Sequence, residues 1–146
     1  MPTINIDQLA DEVVKQLNAY TSLVSEGIEK SATEVANKGV QELKNTLQPS
    51  ASAMGSGENY KPMQRRTWNK YAKGWAVKDN TRGSGYTKKV IWNSKNWQLT
   101  HLLEFGHATR NGGRTRAFAH IKPVEEEITK EYTQMVEEII KKGGKE

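Results

Sequence analysis

The spacing of apolar side chains changes twice along this chain, and that double change restricts the fold more than any other feature. Over residues 7–24, Leu9, Val13, Val14, Leu17 and Tyr20 recur at helical spacing. Over 26–47, Ile28, Val35, Ala36, Val40, Leu43 and Leu47 do the same. The spacing then falls to two. Lys73, Trp75 and Val77 alternate with Gly74, Ala76 and Lys78, and Val90 and Trp92 share a face further on. From Pro123 the helical spacing returns in Val124, Ile128, Tyr132, Met135, Val136 and Ile139. The order predicts an α+β fold: N-terminal helices, a small antiparallel hairpin over about 70–93, a short helix over about 97–105, and a C-terminal helix over about 123–142.

Local signals mark the boundaries. Asn5 or Asp7 can cap the first helix, with Ile4 packing over Leu9 if Asn5 is the cap. Gly27 and Gly39 each weaken the N-terminal helical run by about 1 kcal/mol against alanine. One bent helix and two separate helices both remain open from sequence. Gln48-Pro49 stops the pattern, because the residue before proline is pushed out of the α region. Residues 49–62, PSASAMGSGENYKP, have the composition of a flexible loop. Turn residues crowd 79–85. Asn96 can cap the short helix, whose apolar face is Leu99, Leu102 and Leu103, and Gly106 suits the left-handed position that ends many helices. Pro123 suits a first helical position. Glu125, Glu126 and Glu127 then fall in the first turn and Lys141 and Lys142 in the last, where the helix dipole favours each. A two-stranded hairpin is marginal alone and must pack on a helix. The expected core therefore joins Trp75, Trp92, Leu99, Leu102, Leu103, Ile128 and Tyr132 in a single domain of 146 residues.

Charge is segregated. Residues 1–47 carry a net −3, residues 48–122 a net +11, and residues 123–146 again −3. Either the acidic ends fold onto the basic middle, or neighbouring copies present opposite charge to each other; solvation of exposed strands is the simpler alternative. With 35% apolar residues and a mean hydropathy of −0.80, the core is thin for the length. No cysteine is present, so no disulfide or thiolate metal site is available. No run approaches the roughly 18 apolar residues of a membrane span. The acidic start, MPTINIDQLADE, lacks a secretory signature, and the expectation is a soluble protein, intracellular when made.

All three histidines, His101, His107 and His120, lie within 99–123, LTHLLEFGHATRNGGRTRAFAHIKP. A metal site over His101, Glu104 and His107 is disfavoured, because residues six apart sit roughly 120° apart around a helix and Gly106 ends it first. A nuclease could use His107, His120 and the arginines as acid, base and phosphate clamp. The weaker claim is a basic loop that meets acidic helices or solvent. Aromatics interleaved with lysines over 60–97 could stack on bases, but large aromatics in a small sheet serve more often as core. No metal, cofactor or catalytic set is expected.

One combination is more specific. Tyr71-Ala-Lys-Gly-Trp75 leads into a strand, Val90-Ile-Trp-Asn93 follows a turn, and Leu99-Thr-His-Leu-Leu-Glu-Phe-Gly-His107 precedes Arg110-Asn-Gly-Gly-Arg114 and a proline-led acidic helix. This resembles the small neck proteins of tailed phages and prophages, the head–tail joining or tail-completion proteins. The likeness covers about residues 65–142 clearly, and the N-terminal helices fit it loosely. It departs at Thr67-Trp68-Asn69, where members often carry Thr-Gly. The resemblance implies a non-enzymatic virion protein, made in host cytoplasm, that forms a ring, usually six-fold, against tail terminator, tail tube or connector proteins. Ring contacts between identical subunits pair two different patches. Arg110, Arg114 and Arg116 are the candidate contact residues on one side, and Glu125, Glu126 and Glu127 or the acidic N-terminal helices on the other. Passive contact with DNA in the lumen is the rival role for Arg110, Arg114 and Arg116. The alternative is a small basic nucleic-acid-binding protein or nuclease using residues 101–120.

Overall fold

The computed structural model describes residues 6–47, 65–82 and 87–143. The fold is α+β. A 3-10 turn, Ile6–Gln8, enters α1 (Leu9–Leu47). There follow α2 (Arg65–Lys73), β1 (Trp75–Asp79), β2 (Lys89–Asn93), α3 (Gln98–Phe105) and α4 (Ile121–Lys141). The 49–62 segment lies outside the described residues.

The two N-terminal stripes belong to one helix. α1 runs 39 residues without a break, about 58 Å at 1.5 Å per residue. Gly27 and Gly39 do not divide it, because packing holds both in place. A Cβ at Gly27 would lie 3.0 Å from Ile139 Cγ2, and one at Gly39 would lie 2.8 Å from Ile91 Cδ1. The missing side chains let α4 and β2 approach the α1 backbone closely, which offsets the helix-propensity cost. α4 runs antiparallel to α1, with Ile139 against Gly27 and Ile128 against Gly39. Lys38 bridges the pair on the outside, bonding Glu131 and lying 3.7 Å from both Glu42 and Glu127.

The core sits where α1, α2, the hairpin and the start of α4 meet. Val40, Leu43, Trp68, Tyr71, Ala72, Trp75 and Val124 are buried there, and Val77, Ile91, Leu99, Leu103, Phe118, Ile121 and Ile128 pack around them. Tyr132 is half-buried beside Ile128.

Residues 65–73 are helical, so the hairpin starts at Trp75 rather than near 70. Trp68, Tyr71 and Ala72 stand at i, i+3 and i+4, the helical spacing that buries all three on one face. The strand alternation is real from Trp75 onward. β1 and β2 pair antiparallel with Trp75 opposite Asn93 and Val77 opposite Ile91. That register turns Trp75, Val77, Ile91 and Asn93 inward and leaves Ala76, Lys78, Val90 and Trp92 on the outer face. Trp92 is consequently 38% exposed rather than core, with Lys78 Nζ 5.8 Å from its ring centroid. Leu102 is likewise outside the core at 37% exposure, because α3 turns Leu99, Leu103 and Glu104 inward. The Asn96 side chain does not cap α3; its backbone carbonyl accepts from Leu99 instead.

Buried Asn93 joins three elements. Its Nδ2 donates to the Tyr71 carbonyl at 2.8 Å, and its Oδ1 accepts from the backbone of Lys95 and Asn96. The end of α2, the end of β2 and the turn into α3 thus share one side chain.

The packing predicts unequal costs. Trp68→Ala should destabilise the protein by about 3–5 kcal/mol, whereas Leu102→Ala should cost under about 1 kcal/mol. Urea denaturation of the two variants measures the difference.

Candidate functional site

The segment from α3 to α4 is built around one buried carboxylate. Glu104 Oε2 accepts from the backbone N–H of His120 and of Ile121, both at 2.9 Å, and Oε1 accepts from Lys122 at 3.0 Å. These are the unpaired donors at the start of α4. The next residue is Pro123, which has no N–H to satisfy. α4 therefore starts at Ile121, two residues before its proline, and Pro123 occupies the third helical position. Glu125, Glu126 and Glu127 fall beyond the first turn, which holds no acid of its own. The negative charge at this helix end comes from α3 instead.

His120 completes the join. It is 1% exposed, inside a cage of Trp75, Tyr71 and Phe118, with ring centroids 5.4–6.0 Å away. Its Nδ1 lies 2.8 Å from the Phe118 carbonyl and 3.1 Å from Glu104 Oε2. Both oxygens can only accept, so Nδ1 carries the proton. Nε2 then accepts from the Tyr71 hydroxyl at 2.6 Å. Burial pushes the His120 pKa down, against the opposing pull of the Phe118 carbonyl and Glu104. Burial, and the nearby Glu104 charge, push the Tyr71 phenol up. For Glu104, burial works against the charged form, but the three amides outweigh it and hold the carboxyl below its ordinary value. The Tyr71–His120–Glu104 chain resembles a proton relay, yet Tyr71 and His120 are fully buried.

The basic segment is a small hairpin hung on this frame. Gly106 ends α3 with φ +69° and ψ 170°, outside the left-handed helical region but still at a positive φ that essentially only glycine adopts. A Cβ there would stand 2.5 Å from the Thr115 carbonyl. Thr115 N–H donates to the His107 carbonyl, and Thr109 N–H to the Gly113 carbonyl, both at 2.8 Å. Ala108 and Arg114 form the bridge between the arms. The reversal runs through Arg110, Asn111 and Gly112, where Gly112 has φ +81°. Phe118 N–H then donates to the Leu103 carbonyl at 2.7 Å, returning the chain to α3.

Arg110, Arg114 and Arg116 are all exposed on this hairpin, and none pairs with a described residue. Glu126 lies 4.0 Å from Lys122, and Glu127 lies 3.7 Å from Lys38. Glu125 and Glu126 border a groove of about 780 Å³ between α3 and α4, together with His101 and Phe105. The histidines are not gathered. His101 packs on Phe105 with centroids 4.9 Å apart, His107 sits at the hairpin base against Thr115, and His120 is sealed inside. Among the described residues no three of His, Asp and Glu could hold a metal ion, and no helix is long and apolar enough to cross a membrane. Helical spacing marks Glu104 only as a polar position beside the apolar Leu99, Leu102 and Leu103. The available signal was that Glu104 is one of three acids among residues 48–122.

A family model described as "Bacteriophage HK97-gp10, putative tail-component" matches residues 11–106. No curated protein and no solved structure matches the chain.

Acid should weaken this frame. A folded-state pKa held below the unfolded value means that the unfolded chain takes up the proton first as pH falls. His120 contributes this below about 6.5 and Glu104 below about 4.5. The melting temperature is expected to stay level above pH 7, to fall as pH drops through 6.5, and to fall further below 4.5. Glu104→Gln should lose about 2–3 kcal/mol at pH 7, since hydrogen bonds to a charged acceptor are the strong ones. Calorimetry across the pH range measures both.

Proposed function

The chain belongs to the HK97-gp10-like family of phage tail components, and from that premise we propose that it works at the head–tail interface as a tail-completion or head–tail joining protein. In this reading it is a non-enzymatic virion subunit, assembled from host cytoplasm. It forms a ring of identical copies, six in number, that contacts tail terminator, tail tube or connector proteins.

The observation that carries the reading is the Arg110–Arg116 hairpin. It presents three arginines without described partners, yet it is anchored at Gly106 and Phe118 to the most tightly bonded part of the molecule. Such an arrangement holds charged side chains in place before a partner arrives, which reduces the ordering cost of binding. Arginine suits the task because its planar fork binds a carboxylate through two hydrogen bonds. Its targets in this reading are carboxylates of a neighbouring subunit or tail protein, Glu125, Glu126 and Glu127 of the next copy among them. The burial of His120 counts against the nuclease alternative, because it separates that ring from His107 and the arginines.

Arg114→Glu should block particle assembly while leaving the melting temperature unchanged, and an acidic-to-basic change on the contacted partner should restore assembly. Particles of the variant that assemble normally but fail only in DNA retention would instead assign the arginines to DNA in the lumen. Electron microscopy of particles and a DNA-packaging assay separate the two outcomes.

A further inference from the structure

The large exposed apolar side chains of the described residues fall into two groups. Ile6, Leu9, Val13, Val14, Leu17, Tyr20 and Leu23 line the N-terminal part of α1, between 42% and 85% exposed. Ile140 borders this group, since the Tyr20 hydroxyl donates to its carbonyl. The second group is Trp92, Trp97, Leu102 and Phe105, on the outer face of the hairpin and on α3.

Most of the first group lies beyond the partner helix, with Tyr20 and Leu23 at its margin. Among the described residues, the chain after α4 last meets α1 at Tyr20, where Gly143 lies against the ring. The three turns before Tyr20 project past the end of α4 with their apolar stripe bare. The stripe continues the face that α4 covers lower down, so it has the pattern of a helix designed to be packed. Trp92 is bare because, among the described residues, helices pack on one face of the two-stranded sheet only. Trp92 and Lys78 stand on the other.

The two surfaces carry opposite charge. Residues 6–23 hold three acids and one lysine, a net −2, and the hairpin and α3, residues 75–105, hold five basic residues and two acids, a net +3. They cannot meet within one chain. The hairpin packs on α1 at Gly39, 22 residues along the helix from Leu17 and so about 33 Å away. Pairing the α1 stripe with the same stripe of another copy would bring Asp11 and Glu12 against their own kind. Pairing it with the hairpin face joins apolar to apolar and acid to base.

We propose that the N-terminal three to four turns of α1 dock on the hairpin and α3 face of a second copy, around Trp92 and Trp97. The contact is head-to-tail, between unlike patches, and successive copies add in one rotational sense until the ring closes. It rests on the ring reading above and names a contact that reading lacked. It is separate from the pairing of the Arg110–Arg116 hairpin with carboxylates of a neighbouring subunit or tail protein. Opposite charge on the two patches speeds and orients the encounter, while the apolar stripe supplies the adhesion.

The absence of native cysteine makes the test direct. Val13→Cys and Trp97→Cys are made separately, mixed, and treated with a short bis-maleimide. The mixture should yield a cross-linked pair, and neither variant alone should link to itself. In parallel, sedimentation velocity should show concentration-dependent association of the unmodified chain. Leu17→Asp should weaken that association about tenfold or more with no change in melting temperature, since Leu17 is 59% exposed. Self-linking of Val13→Cys would overturn the proposal in favour of like-with-like helix pairing. Association that persists without the mixed cross-link would overturn this contact and leave the ring standing on other surfaces. A chain that stays monomeric to millimolar concentration overturns it as well. The head–tail reading fails separately, through the Arg114→Glu particles.

Discussion

One carboxylate ties the molecule together at its most crowded point. Glu104 leaves α3, accepts the first N–H groups of α4 and faces the imidazole of His120. Without it, α4 would begin with three unpaired donors, two of them part-buried, and the positive end of its dipole would face low-dielectric surroundings. Because α4 also clamps α1 from Tyr20 to Gly39, its starting position sets the packing of the longest helix. A helix end is usually capped by a residue just before it. Here the cap comes from 17 residues upstream, so α3 and α4 are locked in one geometry and the intervening hairpin is pinned at both ends.

The same join gives the chain of Tyr71, His120 and Glu104 a structural part. Its polar atoms are spent on each other. The tyrosine hydroxyl, the ring nitrogens and the carboxylate oxygens all have partners, as buried polar groups require, and an aromatic cage closes around them. The chemistry that remains exposed is of another kind: arginines on a rigid turn, an acidic amphipathic helix end, and a basic aromatic sheet face. Such surfaces suit recognition between proteins, which agrees with membership of a tail-component family. The thin core follows from the same division, since apolar side chains that would fill a larger core lie on α1 and the hairpin instead.

Local periodicity and short motifs were enough for the α+β class, a hairpin ending near Asn93, the short helix after it, the long C-terminal helix and the family. Helical spacing over 124–139 and alternation over 75–92 leave few other options. Tertiary structure decided the rest. The continuity of α1 through Gly27 and Gly39 depends on what packs against those glycines, which local propensity does not contain. The helix over residues 65–73 was hidden because its spacing runs directly into a strand that shares Trp75. Alternation paired Val90 with Trp92, but which face of a two-stranded sheet meets a helix is set by the helix, so Trp92 faces out and Ile91 in. The roles of Glu104 and His120 were not legible, since a cap supplied from another element leaves no mark in the spacing of the helix that it starts. Distance along the chain separates these groups, and only folding brings a carboxylate at 104 to the amides at 120–122.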